Sequence, residues 1–502
     1  MISPDDNYNQ ELVNLVHPPG WENPRPQERY DLVVIGGGTA GLVSAAGAVG
    51  LGAKVALIEK HLLGGDCLNT GCVPSKSLIA AARRVHAVRT ASKFGVNIAD
   101  PIEVDFPVIM ERMRAQRAHI AHHDSAERFQ GLGVDVFLGE AAFANDGQSI
   151  TVNDVSLQFR KAVICSGARA HVPDIPGLAA VGFVTNETLF SLTEQPRRLA
   201  VIGGGPIGCE MAQAFARFGT RVTLFEGGPR ILSRDDAQAS ELVAQSMTDD
   251  GVEILFQHRV ERVSQEEGGK VITARNANGE LLERCVDEIL VAVGRAPNVE
   301  GLNLDAAGVE VSKSGIVVND YLQTTNRRIY AAGDICSPYK FTHAADFMAR
   351  IVIQNALFSG RSRVSQLLIP WSTYTAPEVA HVGLSEGEAE SRGISLDTFF
   401  QELSGVDRAF LDDEHAGFVK IHVRKGTDKI VGATIVAAHA GDLISEITLA
   451  MKHGIGLKKI ASTIHPYPTQ AEAIRKLGDA YNRTRLTPIT KWLLKLVLNW
   501  SW

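Results

Sequence analysis

The feature that most limits what this chain can fold into is a strand–glycine loop–helix–strand unit that occurs twice with one internal spacing. The first copy begins at Asp31. The apolar run DLVVI leads into Gly36-Gly37-Gly38-Thr39-Ala40-Gly41, then a small-residue helical stretch, then KVALIE ending at Glu59. The second runs from RLAVI through Gly203-Gly204-Gly205-Pro206-Ile207-Gly208 and a helical stretch to RVTLFE, ending at Glu226. The first glycine and the terminal acid are 23 positions apart in both. Short apolar runs of this kind suit buried parallel strands. Gly36 and Gly203 permit a tight turn, and Gly38 and Gly205 let the backbone approach a pyrophosphate on the helix N-terminus. Gly41 and Gly208 let helix and strand pack closely, and Glu59 and Glu226 can hold a ribose 2′-OH. Two such units at matched spacing predict two dinucleotide sites.

Two dinucleotides in one polypeptide suggest a flavin and a nicotinamide, with hydride passing between them. The first unit is expected to hold FAD and the second NAD(P)H. Glu226 favours NADH, because a carboxylate accepts from a 2′-OH and repels a 2′-phosphate. Arg221, Arg230 and Arg234 lie close by in sequence and keep NADPH open.

Between the two units stands Gly64-Gly65-Asp66-Cys67-Leu68-Asn69-Thr70-Gly71-Cys72-Val73-Pro74-Ser75-Lys76. Zinc sites pair closely spaced cysteines with a second His/Cys pair, and none follows here. A redox disulfide beside the flavin fits better: once reduced, one thiolate attacks the substrate. Cys165, Cys209, Cys285 and Cys336 are read as buried small residues. His119, His122 and His123 sit at helical spacing without a Cys or acidic partner at ligand spacing, and are read as a solvated or capping segment rather than a metal site. No resident metal is expected, although Cys67 and Cys72 could hold Hg(II) transiently.

The chain has 502 residues, six of them Cys, and a formal net charge of -7. That length allows several cores and excludes a disulfide-stapled miniature. The acidic balance offers nothing to nucleic acid. No apolar run reaches the roughly 18 residues a membrane span needs, and MISPDDNYNQ lacks a signal-peptide plan. The reading is a cytoplasmic protein. Residues 1–27, rich in Pro and including Trp21, look like an extended arm or linker.

GGDCLNTGCVPSK resembles the active-site segment of the class I pyridine nucleotide–disulfide oxidoreductases, whose branches include dihydrolipoamide dehydrogenase, glutathione reductase and mercuric reductase. Other family segments follow in order: KAVICSGARAHVPDIPG, VAVGRAPN at 291–298, IYAAGDIC at 329–336 and APEVAHVGLSE at 376–386. The resemblance covers about residues 29–480 and implies an α/β fold of two Rossmann-like dinucleotide-binding domains with a C-terminal α+β dimerisation domain. The implied segments are an arm (1–27), FAD domain (28–174), NAD(P) domain (175–293), FAD domain again (294–369), dimer-interface domain (370–482) and tail (483–502). Cys67 would be the interchange thiol and Cys72 the thiolate lying against the flavin. Lys76 would sit near flavin N5 and pair with Glu210, where a cation stabilises negative charge on the reduced ring. Asp334 would bind the ribityl chain, Thr342 would contact the flavin edge through its backbone, and Ala141 would lie near the adenine. Val260 and Gly294 would line the NAD site.

The C-terminal motif departs from the dithiol branches. They carry His-Pro-Thr followed by Glu, the His being a base supplied by the other subunit. Here His465-Pro466-Tyr467-Pro468-Thr469 precedes Glu472, so Tyr467 stands in the base position and His465 two residues earlier. A phenol with an ordinary pKa near 10 is a poor base at neutral pH. Tyr here resembles mercuric reductase, yet no Cys follows Cys336 to deliver Hg(II). The expectation is a homodimeric FAD enzyme passing electrons from NAD(P)H through Cys67 and Cys72 to a small disulfide or soft-metal acceptor. Dihydrolipoamide dehydrogenase, with His465 as base, is one alternative. A membrane-docked redox sensor or binding flavoprotein is another.

In the tail, Thr487-Pro488 predicts a helix start. Ile489, Trp492, Leu493, Leu496, Val497 and Trp500 share one face, widened by Leu494, Leu498 and Trp502, with Lys491, Lys495 and Asn499 off it. At about 22 Å the helix is too short to span a bilayer. It either packs on the protein body or across the dimer, or makes peripheral contact with the inner face of a membrane through residues 487–502.

Overall fold

The computed structural model describes residues 2–99, 101–145 and 147–500. The chain divides into two compact units. One comprises Met1–Gly227 and Leu255–Leu367, the other Gly228–Ile254 and Leu368–Trp502.

In the first unit, strand Tyr30–Ile35 lies between two parallel partners, Val55–Glu59 and Val155–Ile164, with Val33 opposite Ala56 and Ala162. Strand Ile329–Ala331 joins Val155–Ile164 on its other side, again parallel. Tyr30, Leu32, Val33 and Val34 are fully buried, as expected of a strand covered on both faces. The parallel register brings the C-terminal ends of three strands together, so the loops at Gly36, Cys165 and Asp334 leave the sheet at one edge. That edge is where open α/β sheets bind ligands. The second glycine unit repeats the plan, with Arg198–Ile202 between parallel Arg221–Glu226 and Glu288–Val291. Its entry and exit are tied to each other: Ala168–Ala170 pairs antiparallel with Arg295–Pro297.

The first 27 residues differ from the extended arm expected. Asp6 caps a helix, Asn7–Val16, by accepting from Asn9 N–H. Leu12 and Val16 are fully buried against the FAD-side core. Pro18, Pro19, Pro24 and Pro26 come after this helix, where Trp21 Nε1 donates to the Val136 carbonyl at 3.1 Å. Burial of two aliphatic side chains, each contributing about 1.5–3 kcal/mol, outweighs the local polarity that suggested a linker. Cys165 and Cys209 are buried as expected and Cys336 only partly so; the second departure is Cys285, which is exposed rather than buried. It lies on Leu281–Val286, the edge strand of a three-stranded antiparallel sheet, at an outward position.

The second unit is a five-stranded antiparallel sheet in the order Trp371–Thr373, Glu378–Gly383, Ile430–Ala437, Phe418–Arg424, Leu396–Glu402. Helices Ala440–Lys452 and Glu472–Thr484 bury Ile444, Ile447, Ile474 and Leu477 in its core. The segment Gly228–Ile254 is fastened here by buried Lys420, whose Nζ lies 2.7 Å from Asp236 Oδ2, and by Trp371 Nε1 donating to Asp235 at 2.8 Å. Helix Pro488–Trp500 follows, with no buried residue. No helix among the described residues is long and apolar enough to cross a membrane.

Candidate active site

Both glycine loops show the same division of labour. Gly36 and Gly203 have φ of +103° and +108°, and a Cβ on either would strike a carbonyl, Cys165 O at 2.4 Å or Ala292 O at 2.6 Å. A Cβ on Gly41 or Gly208 would sit 1.8 or 2.0 Å from the carbonyl of Gly36 or Gly203. These four glycines are demanded by the chain itself. Gly38 and Gly205 are not. The nearest atom to a Cβ on Gly38 is 3.7 Å away, and nothing lies within 4 Å of one on Gly205. Each is the N-cap of its helix, and neither helix has a side-chain cap. An uncapped helix N-terminus with open space over the cap suits a pyrophosphate. The residues present therefore fit FAD and a nicotinamide dinucleotide. At each strand end, one carboxylate oxygen accepts from the loop: Glu59 Oε2 from Gly37 N–H at 2.6 Å, and Glu226 Oε2 from Gly204 N–H at 2.8 Å.

Cys67 lies on the short helix Gly65–Asn69, and Cys72 opens helix Cys72–Arg89. Both are thiols. Their side chains hydrogen-bond to each other, which holds Cys67 far above the ordinary thiol range and brings Cys72 down to about 6. Burial also raises Cys67. For Cys72 the hydroxyl of Thr342, 3.5 Å from its sulfur, and the charge of Lys76 act in the same direction as Cys67. The pair is thus polarised into one thiolate and one thiol. Lys76, one turn into the same helix, places Nζ 2.8 Å from Oε2 of buried Glu210 on helix Pro206–Phe218.

Asp334 follows strand Ile329–Ala331. Burial raises its carboxyl, and Arg295 Nε lies 3.4 Å away. Arg295 also contacts Asp66, beside Cys67, and donates to the Ala168 carbonyl at 2.6 Å. Its Nε faces the Asp334 carboxylate, so one guanidinium ties Asp334, Asp66 and the Ala168 carbonyl together at this edge. Thr342 is the first residue of helix Thr342–Leu357, whose first turn has no side-chain cap. Ala141 starts strand Ala141–Phe143 and is buried beside Ile58 and Phe137. Val260 packs with Ile202 and Phe225, and Gly294 sits at φ +130° with open space around it.

In the second unit, Tyr467 is exposed and donates to Asp407 Oδ2 at 2.8 Å, which raises its pKa. His465 does not meet Glu472. Its Nε2 lies 2.9 Å from Glu446 Oε1 and its Nδ1 3.0 Å from the Thr463 carbonyl. Glu472 is bound by Arg475 at 2.9 Å. His119, His122 and His123 are exposed, and His122 lies 3.6 Å from Glu11.

Sequence reasoning missed the Thr342 hydroxyl, Arg295 with Asp66, and the partners Asp407 and Glu446. Asp66 adjoins Cys67 and Arg295 lies inside VGRAPN, so both stood within motifs already singled out. It also missed Arg117, which donates to the Asn69 carbonyl at 2.8 Å and to Asn9 Oδ1 at 2.6 Å, tying the Cys67 helix to the N-terminal helix.

Comparison with known proteins agrees with this arrangement. Residues 30–349 match the pyridine nucleotide-disulphide oxidoreductase family, and residues 369–477 its dimerisation domain. The chain is 34% identical to a mercuric reductase of Staphylococcus aureus over 95% of this chain and 89% of the relative. It is 35% identical to a dihydrolipoyl dehydrogenase of Bacillus subtilis over 89% of this chain and 96% of the relative. Among solved structures it is similar to the Cu(II) complex of the HOCl-induced flavoprotein disulfide reductase RclA from Escherichia coli. The TM-score is 0.79 and the identity 28%, over 89% of this chain and 98% of that one. The chain belongs to the pyridine nucleotide-disulphide oxidoreductases, flavin-dependent enzymes that use FAD and a pyridine nucleotide, and its dimerisation domain makes it a homodimer.

Proposed function

We propose that the enzyme carries an electron pair from NADH, in preference to NADPH, through Cys67 and Cys72 to a soft-metal acceptor. When bound, FAD supplies the step between nicotinamide hydride and the cysteine pair. The observation that carries the choice of acceptor is Tyr467 in the base position with its hydroxyl given to Asp407 at 2.8 Å, together with a cysteine pair whose interaction raises Cys67 and lowers Cys72. To attack a disulfide, Cys67 must first lose its proton to a base. Tyr467 is a weak candidate because Asp407 raises it further, and His465 stands two residues before the base position. A soft cation needs no such base: it displaces the Cys67 proton directly and is held between two sulfurs. In this reading Tyr467 and Glu472 serve the cysteines of the other copy, Tyr467 by positioning rather than by proton transfer.

The test is NADH and NADPH oxidation by purified protein with and without Hg(II) in excess thiol, repeated with Cu(II). Metal-dependent turnover that is lost in Cys67→Ala supports the reading, and metal-independent turnover refutes it. The His465–Glu446 contact favours one second reading, dihydrolipoamide oxidation with His465 as base. Rapid NAD reduction by dihydrolipoamide, lost in His465→Gln, would establish it instead.

A further inference from the structure

Helix Pro488–Trp500 carries none of the site residues described above, and none of its residues is buried among the described residues. Trp492 is 59%, Val497 63% and Trp500 94% exposed. Thr487 caps it, accepting from Thr490 N–H at 3.2 Å, and Pro488 fills the first turn, so the helix start is encoded locally. At about 100° per residue, Lys491, Lys495 and Asn499 fall in one wedge of roughly 80°. Apolar side chains from Trp492 round to Leu498 occupy most of the remaining circumference, interrupted by Thr490. Trp502 lies outside the described residues.

We propose that this helix docks the enzyme on an anionic bilayer surface, lying in the interface with its lysines at the lipid phosphates. Three observations choose that occupant. The first is charge: beyond Asp479 the sequence holds Arg483, Arg485, Lys491 and Lys495 and no acid, in a chain of net charge -7. The segment has the sign an anionic leaflet attracts and the rest of the chain does not. The second is area. Half the side wall of a helix about 20 Å long and 10 Å wide is about 300 Å², well below the roughly 800 Å² per partner of a stable protein interface. A second copy of the tail therefore makes a poor occupant. The third is the breadth of the apolar arc. A flat protein partner covers one side of it, whereas acyl chains cover the whole arc while the narrow cationic wedge stays at the headgroups. Trp492 and Trp500, and the aliphatic stems of the two lysines, suit that boundary.

The experiment is flotation of the full chain with phosphatidylglycerol-containing vesicles and with pure phosphatidylcholine vesicles. It is repeated with a chain ending at Asn482 and with Trp492→Glu/Leu496→Glu, which removes two apolar anchors without shortening the chain. The full chain is expected to float with anionic vesicles, and both altered proteins to stay behind with NADH-dependent dye reduction intact. Lys491→Glu/Lys495→Glu should lower binding by about tenfold or more, as expected for reversing two cations at an anionic surface. No flotation of the full chain overturns the proposal, as does undiminished flotation of the altered proteins. Equal binding to phosphatidylcholine overturns the role of the cationic wedge. A tail-dependent change of oligomeric state without flotation assigns the helix to a second copy instead.

Discussion

The low pKa of Cys72 is expected to depend first on Cys67. The Cys67 thiol donates to the Cys72 thiolate, and this is the largest of the influences bringing Cys72 down to about 6. A hydrogen bond to a charged group contributes about 1.5–3 kcal/mol. At 1.36 kcal/mol per pKa unit this is about one to two units. Cys72 has an exposed face, so solvent replaces part of the lost bond and the lower end applies. Cys67→Ala should therefore move the midpoint from about 6 to roughly 7, lowering the ionised fraction at pH 7 from about 90% to about half. Cys67→Ser retains a donor and should stay near the wild-type midpoint. With Cys72 against the flavin as the family resemblance implies, the assay is the long-wavelength thiolate-to-flavin absorbance of the FAD-loaded protein, two-electron reduced wherever both cysteines are present, read from pH 5 to 9 with about half-unit spacing. The band is present above the Cys72 pKa and fades as pH falls through it. An unmoved midpoint in Cys67→Ala, or Ser and Ala shifting it equally, would refute the account.

The remaining predictions probe the frame around that pair. Gly205→Ala should leave the unfolding midpoint within about 1 kcal/mol of wild type yet weaken nucleotide binding; Gly208→Ala, 2.0 Å from the Gly203 carbonyl, should reduce soluble folded protein. Calorimetry and nucleotide titration separate the two. Arg117→Met leaves the Asn69 carbonyl and Asn9 Oδ1 without their donor, at about 1–3 kcal/mol each, and should lower the urea midpoint. Lys420→Met deprives partly buried Asp236 of its cation and should lower the same urea midpoint; adding Asp236→Leu should not restore it, because Asp236 also caps helix Ala237–Asp249 by accepting from Gln238 N–H, a contribution of about 1 kcal/mol. Glu226→Gln keeps an acceptor for Gly204 N–H but loses the charge, so the NADH-over-NADPH ratio of kcat/KM should fall about fivefold, the difference between a charged and a neutral hydrogen bond.

What could be read from the sequence was whatever backbone geometry demands. Gly41 and Gly208 are fixed by the carbonyl that opens their own loop, 1.8 and 2.0 Å from a Cβ, and Gly36 and Gly203 by their positive φ. Residue type and spacing therefore reveal them, although the carbonyls that a Cβ on Gly36 or Gly203 would strike belong to distant loops. The parallel strands were equally plain, because burial on both faces leaves an unbroken apolar run. The N-terminal helix was not. Its two core residues, Leu12 and Val16, form half a stripe, and the cue that it docks is Arg117, more than a hundred residues away. Cys285 was misplaced for a related reason: its strand forms one edge of a sheet, and edge status depends on pairing rather than on composition. The partners of Tyr467 and His465, Asp407 and Glu446, are likewise long-range, set by how helices meet the sheet.

The repeated unit also bears on the nucleotide preference. An acid at the end of the second strand counts as a ribose ligand when read from sequence, yet in both loops it has a prior task. Glu59 and Glu226 each spend one oxygen on the N–H of the middle glycine. The first unit has no 2′-phosphate to reject and keeps the bond all the same, so the acid's presence is partly a requirement of the loop. That does not weaken the case for NADH; it changes the reason. A carboxylate free to rotate could swing away from a 2′-phosphate at the cost of about 1 kcal/mol of rotamer energy. A carboxylate pinned to the loop must first break a charge-assisted bond and leave Gly204 N–H without its acceptor. On the proposed preference for NADH, the negative charge of Glu226 is thereby held at the loop, and discrimination would follow from the rigidity of the acid as much as from its sign.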